Sequence, residues 1–360
     1  MSDISKIDKN FVSGQVDKED LKSYDVRNEP FKLYGIYAPE SGELFRRVPD
    51  KVAKEMSDGA YALHTNTAGV RVRFKTDSKY VAIKAKMPWV ALMPHMPAVG
   101  SAGFDLYADG EFVSSYNPPI TYADCFRATF ELDGGFEGII EFADRKMRDI
   151  IINFPLYSNV SELLVGLQED AQLLPGGGYK YKTPVVFYGS SITQGGCASR
   201  PGNCYEAVIS RRLDTDYINL GFSGNARAED VIADYIAGLD MSVFIYDYDH
   251  NAPTVEHLRK THKRMFDKIR KAHPDLPVIM ISRPNPSVAE EREERIRIIR
   301  ETYETAKAAG DNNVYFINGQ DILNYKDRDM VTCDGVHPND FGFWCMAEII
   351  GGAVEKVLVK

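Results

Sequence analysis

Between Lys182 and the C-terminus, five short apolar runs alternate with segments of helical length, a rhythm that admits few folds. The runs are Val185–Tyr188, Tyr217–Leu220, Val243–Tyr246, Val278–Ile281 and Val314–Ile317. The helical segments are Cys204–Leu213, about Ala226 to Ala237, Thr254–Ala272, Val288–Ala309 and Asn339–Leu358. Thr254 is placed as a cap, and Pro338 opens the last helix. Strands this apolar are buried on both faces, and parallel neighbours need a crossover long enough to hold a helix. The expectation is an α/β unit over residues 182–360: a doubly wound, five-stranded parallel sheet between helices.

The first half follows a different period. Val70–Lys75 and Tyr80–Lys86 alternate apolar with charged residues, as half-buried strands do. Gly103–Ala108, Phe112–Tyr116, Phe126–Leu132, Glu137–Phe142 and Glu162–Leu167 are further strand candidates. Asp109-Gly110 is a tight-hairpin signal, and Asp133-Gly134-Gly135 marks another turn. Met87–Gly100, with its prolines, reads as an excursion. Many short strands and few helical windows predict an antiparallel β-sandwich of the jelly-roll kind over residues 1–175. Pro175-Gly176-Gly177-Gly178 ends that pattern.

Composition excludes several classes. The chain has 360 residues, enough for two domains, and a net charge of −9 argues against a nucleic-acid or anionic-membrane partner. No apolar run approaches the roughly 18–20 residues that span a bilayer. Met1–Asn10 alternates charges and lacks the apolar centre of a signal peptide, so a cytoplasmic location is expected. Cys125, Cys197, Cys204, Cys333 and Cys345 are odd in number and scattered, which speaks against a disulfide framework or a structural zinc site.

The polar residues at the carboxyl ends of the parallel strands carry the chemistry, because ligands of such sheets bind there. The first run ends in Gly189-Ser190-Ser191, which is either an ordinary strand-to-loop connection or a sharp turn on which a serine presents both a hydroxyl and a backbone N–H to one point. Asp334-Gly335-Val336-His337 places a carboxylate three residues before a histidine. Such a carboxylate either simply caps the turn or fixes the imidazole tautomer, leaving Nε2 as a general base. With Ser191, the second reading makes a nucleophile, a base and its orienter. Gly224 offers an unobstructed N–H to an oxyanion or serves a positive-φ turn. Asn251 donates its amide to the same oxygen or makes an Asx turn before Pro253.

These segments, in this order, resemble the blocks of the SGNH (GDSL-type) hydrolase superfamily. The resemblance implies a flavodoxin-like catalytic domain with Ser191 as nucleophile, His337 and Asp334 as base and orienting acid, and Ser191, Gly224 and Asn251 as the oxyanion hole. Where the family has Gly-Asp-Ser this chain has Gly189-Ser190-Ser191, and Gly-x-Asn-Asp becomes Asp249-His250-Asn251-Ala252. Gly103-Phe104-Asp105-Leu106-Tyr107 is similar to the Gly-x-Asp-Leu-Tyr signature of the β-sandwich that precedes some of these hydrolases. The pairing resembles bacterial acetyl xylan esterases. It implies a cofactor-free serine esterase that deacetylates xylo-oligosaccharides, and a homo-oligomer is expected. An esterase or thioesterase for other short acyl groups, or a non-catalytic carbohydrate-binding protein, is the alternative.

Other features have plainer readings. His64, His95, His257, His262 and His273 are expected on the surface or in packing. Cys197 and Cys204 could pair or bind metal, but a reduced pair in a substrate loop is expected. Trp89 and Trp344 either stack on a sugar ring or pack in a core. Glu290–Arg295 is expected to be a solvated helix face. The sandwich is expected to contribute none of the catalytic groups, serving assembly or substrate access instead.

Overall fold

The computed structural model describes residues 16–40, 44–119, 129–130, 135–284, 291–323 and 328–359. Its C-terminal half is a parallel sheet of the strands Tyr181–Gly189, Thr215–Gly221, Val243–Asp247, Val278–Ile281 and Val314–Ile317. Across the sheet they lie in the order second, first, third, fourth, fifth. Side chains alternate between two cores, as a period of two requires. Val186, Tyr188, Phe244 and Tyr246 face one side, under the helices Asp230–Ala237, Val255–Ala272 and Arg292–Ala308. Val185, Phe187, Val243 and Ile245 face the other, under Tyr205–Leu213 and Asp340–Leu358.

The chain leaves the first strand for a neighbour on one side, then crosses to the other side for the third. That reversal opens a crevice at the carboxyl ends of the first and third strands. Gly189 ends the first strand, and a Cβ there would lie 2.1 Å from the Thr193 hydroxyl and 2.6 Å from the Asp247 carbonyl. Only glycine lets the strand turn so closely into the helix Ser191–Gln194.

The N-terminal half is an antiparallel sandwich. One sheet runs Leu21–Asp25, Glu162–Gln168, Tyr80–Lys86, Phe136–Glu141. The other runs Leu173–Pro175, Arg71–Thr76, Arg148–Asn153, Phe104–Ala108, Glu111–Tyr116, with Lys32–Tyr34 also paired to Arg71–Thr76. Val81, Ile83, Val165 and Leu167 from the first sheet pack on Val72, Phe74, Leu106 and Ile150 from the second. Asp109 and Gly110 both have positive φ, which makes the tight turn between Phe104–Ala108 and Glu111–Tyr116.

Three expectations change. Arg148–Asn153, a central strand, carries three consecutive isoleucines between polar residues and shows no alternation to find. Helices form at Asp50–Met56 and Asp58–Leu63, within a stretch read as β. The helix expected from Ala226 starts at Asp230, because Ala228 stands at φ +55°, which a right-handed helix cannot contain. Strand Phe126–Leu132, apart from its backbone at 129–130, the turn residues Asp133 and Gly134, and the helix start Val288–Glu290 lie outside the described residues.

The halves are joined by buried polar anchors rather than a linker alone. Arg47 is 1% exposed and donates to the carbonyls of Asn66 (2.8 Å), Leu63 (2.9 Å), Asn219 (3.1 Å) and Gly221 (2.7 Å). Burial without a carboxylate lowers its guanidinium to about 9. Asp105, from the Gly-x-Asp-Leu-Tyr signature, accepts from Gly202 N (2.7 Å), Arg200 (3.0 Å) and Asn153 (2.7 Å). The signature therefore pins the loop that follows the helix Ser191–Gln194. Val48, Ala53, Met56 and Ala60 enter one core of the parallel sheet, and Ala91, Met96, Leu156 and Tyr157 enter the other.

Candidate active site

Ser191 is the first residue of a four-residue helix set directly on the end of the first strand. Ser190 caps that helix, its hydroxyl accepting from Ile192 N at 3.2 Å. Serine and aspartate are both good N-caps, so the hydroxyl can do the local work of the family's carboxylate. The Ser191 N–H lies at the helix start, where no intrahelical acceptor exists. Its Oγ is 2.9 Å from His337 Nε2.

His337 Nδ1 lies 2.7 Å from Asp334 Oδ2, which fixes the proton on Nδ1 and the lone pair on Nε2. Asp334 Oδ1 accepts from His337 N (2.8 Å) and Val336 N (2.9 Å). Partial burial opposes ionisation of Asp334, but these N–H groups and the imidazole outweigh it and hold the carboxyl at about 2. A carboxylate three residues before its histidine thus orients both the ring and the backbone of one turn.

Gly224, exposed and at φ +69°, has open space where a Cβ would stand. Its positive-φ turn and its accessible N–H therefore coexist. Asn251 lies in the turn Asp249–Asn251 after the third strand, and its Oδ1 accepts from Ala226 N at 3.3 Å. Because Ala226 N is a donor, the oxygen is identified, and the Asn251 amide N–H groups remain for a ligand. The structure thus brings Ser191, His337 and Asp334 into one relay, with Gly224 and Asn251 on the adjoining loops.

Several residues that hold this arrangement escaped the sequence reading. Gln194, fully buried, donates to Asn66 Oδ1 (3.2 Å) and the Leu156 carbonyl (3.2 Å) and accepts from Ser223 N (3.0 Å). It links the helix Ser191–Gln194, the Gly224 loop and the N-terminal half. Tyr157, also N-terminal, donates its hydroxyl to the Ser191 carbonyl at 3.1 Å. Arg295 corrects the expectation of a solvated face at Glu290–Arg295. It is 3% exposed and donates to Asp249 Oδ1 (3.0 Å), Asp249 O (3.1 Å) and Ala252 O (3.1 Å). Its spacing from Ile298, Ile299 and Thr302 puts it on the buried stripe of its helix, a signal the charge run concealed.

The histidines also separate. His262 is buried against Tyr246, with Nδ1 2.9 Å from the Thr302 hydroxyl. His250 has a buried Nε2 with no hydrogen-bond partner. Burial above all pushes both down to about 3, so neither is charged near neutrality. His95 is exposed but not scattered: its ring centroid lies 5.6 Å from that of His337. Trp89 is half-buried against the core, whereas Trp344 is 42% exposed and stacks on Phe341. Cys204 donates to the Pro201 carbonyl at 3.2 Å, and neither it nor Cys197 is in a disulfide. No helix among the described residues is long and apolar enough to cross a membrane.

A serine hydroxyl on a tautomer-fixed histidine, at the switch point of a doubly wound sheet, is the arrangement of a serine hydrolase of the α/β class. The chain belongs to the GDSL-like lipase/acylhydrolase family. That family's model matches residues 182–356, and the model for the N-terminus of SGNH-hydrolase-type esterases matches residues 21–173. A structure from Bacteroides ovatus described as a GDSL-like lipase is 30% identical with a TM-score of 0.80, over 94% of this chain and 98% of that one. The salicylyl-acyltransferase SsfX3 of a tetracycline biosynthetic pathway shares the fold at 19% identity and a TM-score of 0.76, over 95% and 99%. So does the acetyl xylan esterase Est2A of the rumen bacterium Butyrivibrio proteoclasticus, at 11% identity and 0.56, over 94% and 98%. No curated protein matches the chain.

Proposed function

We propose that the protein is a serine esterase that removes acetyl groups from sugar hydroxyls, acting on short xylo-oligosaccharides in the cytoplasm. The observation that carries the hydrolytic reading is the continuous relay from Ser191 Oγ through His337 to Asp334. As Oγ attacks the acetyl carbonyl carbon, its proton passes to His337 Nε2, and Asp334 stabilises the imidazolium. The N–H groups of Ser191 and Gly224 and the Asn251 amide take the negative oxygen. The sugar oxygen leaves with the proton from His337. Water then attacks the acetyl-serine with His337 as base, releasing acetate and restoring the serine.

The short acyl group is supported by exposure: Ser191, His337 and Asn251 are only half-buried, and Asp334 and Gly224 are exposed. The sugar is supported by the carbohydrate esterases that share the fold, and the reduced cysteines suit a cytoplasmic setting. Acetate release from acetylated xylo-oligosaccharides, compared with p-nitrophenyl esters of increasing chain length and acyl thioesters, tests the reading. Acetylated sugars should give the highest kcat/KM; a preference for chains beyond butyryl, or for thioesters, would overturn the substrate assignment.

A further inference from the structure

Three segments distant in sequence bring soft ligands to the face of the catalytic histidine. His95 comes from the excursion between sandwich strands, Cys197 from the loop after the nucleophile, and His337 from the turn before the last helix. Their ligand atoms all lie within 4.8 Å of one another. A fourth group adjoins them: the Cys333 side chain lies next to that of Cys197. Cys333 is also tied to the base through its backbone, its N–H donating to the His337 carbonyl at 2.9 Å.

We propose that His95, Cys197, Cys333 and His337 bind a zinc-like divalent cation, and that its binding silences the hydrolase by occupying the catalytic base. The inhibitory consequence rests on the serine-hydrolase reading; the metal site does not. Two thiolates and two imidazoles are a zinc-type donor set and a poor one for magnesium or calcium, which take oxygen. Zinc–nitrogen and zinc–sulfur bonds of about 2.0–2.3 Å put tetrahedral ligand atoms roughly 3.4–3.8 Å apart. The ligand atoms of His95, Cys197 and His337 lie within 4.8 Å of one another, so the ion draws these three together by roughly 1 Å, and the exposed His95 and Cys333 side chains rotate onto it. Each thiol gives its proton to solvent as it binds.

The inhibition follows from the tautomer. Asp334 holds the proton on His337 Nδ1, so the ring's one lone pair is on Nε2, which receives the Ser191 hydroxyl. A cation on Nε2 takes the same electrons, and Ser191 then has no base. The cation is therefore an inhibitor of this reaction and not its cofactor.

Cobalt(II) titration of full-length Ser191→Ala tests the site independently of activity. One equivalent should raise a near-ultraviolet thiolate-to-cobalt band and strong visible bands of a tetrahedral ion. Cys197→Ser and the exposed Cys333→Ser should each weaken binding at least tenfold and diminish the thiolate band. In the otherwise native enzyme, zinc should abolish p-nitrophenyl acetate hydrolysis and a chelator should restore it. His95→Ala should keep the basal rate while raising the inhibitory zinc concentration at least tenfold. Absence of a thiolate band, or zinc sensitivity unchanged in both His95→Ala and Cys333→Ser, would overturn the proposal. A chain that hydrolyses no ester but still shows the cobalt band would overturn the hydrolase reading and leave the site standing.

Discussion

In the proposed reaction Ser191 serves two steps through different atoms, its hydroxyl as nucleophile and its N–H as oxyanion donor, and replacing it separates them. Ser191→Ala should lower kcat on the order of 10⁶-fold without unfolding the chain, since the backbone donor and the cap at Ser190 remain. Steady-state kinetics with a burst measurement checks this; an active Ser191→Ala and an inactive Ser190→Ala would move the nucleophile by one residue. Asn251 makes a narrower test. Its Oδ1 is engaged by Ala226 N, so Asn251→Asp keeps that acceptor and removes only the amide donors. Both Asn251→Ala and Asn251→Asp should cost roughly 10²–10³ in kcat with little change in KM. A loss of less than threefold in both would mean that the hole is complete without this side chain.

Elements fix the distances that individual residues cannot. The turn Asp249–Asn251 is held from the helix Arg292–Ala308 by Arg295, whose planar guanidinium reaches a carboxylate and two carbonyls together. Arg295→Leu should destabilise the fold by about 3–5 kcal/mol, because it leaves Asp249 buried with part of its pairing gone. Arg295→Lys should fold better yet still lower kcat by misplacing Asn251, and denaturation midpoints set beside kcat separate the two effects. The neighbouring helix Val255–Ala272 carries the buried His262, neutral in the fold down to about pH 3. In the unfolded chain the same ring takes a proton below about pH 6.5. The unfolded state therefore gains a proton the fold excludes, and stability is lost as pH falls from about 6.5 toward 3, by up to about 1.4 kcal/mol per pH unit. Midpoints measured from pH 7 to 5 should fall accordingly, and His262→Gln should flatten the slope while keeping a polar partner for Thr302. An equal slope in that variant would remove His262 from the explanation.

Across the whole molecule, the relay belongs to the α/β half but its support does not. Tyr157 and Asn66 reach the helix Ser191–Gln194 from the N-terminal half, and Arg47 caps the strand end that leads to Gly224. This changes what a fragment should do. Residues 182–360 alone would expose Leu220, Phe222 and Ile232, which Val48, Ala53, Met56 and Ala60 help to cover, and would leave Gln194 without Asn66 and Leu156. The isolated fragment should aggregate or bind hydrophobic dye rather than form a working esterase. In the full chain, Arg47→Lys should cost on the order of 3 kcal/mol, since an ammonium cannot serve four spread carbonyls from one buried point. A soluble, cooperatively melting fragment with native activity on p-nitrophenyl acetate would show that the halves are independent after all.

The sequence alone determined the local chemistry of this protein. Period and punctuation place the parallel strands and sandwich strands such as Arg71–Thr76, because alternation and β-branching act over a few residues. Asp334 and His337 were legible for the same reason: three residues of one turn fix their mutual geometry. Tertiary structure decided whatever depends on which segments meet. Arg148–Asn153 is central only because Arg71–Thr76 and Phe104–Ala108 flank it, and its isoleucines state no face. Arg295 reads as solvated until Asp249 arrives to pair with it, and His95 as incidental until the excursion folds over His337. A buried charge is paired and a ligand atom has neighbours only through contacts that lie far apart along the chain.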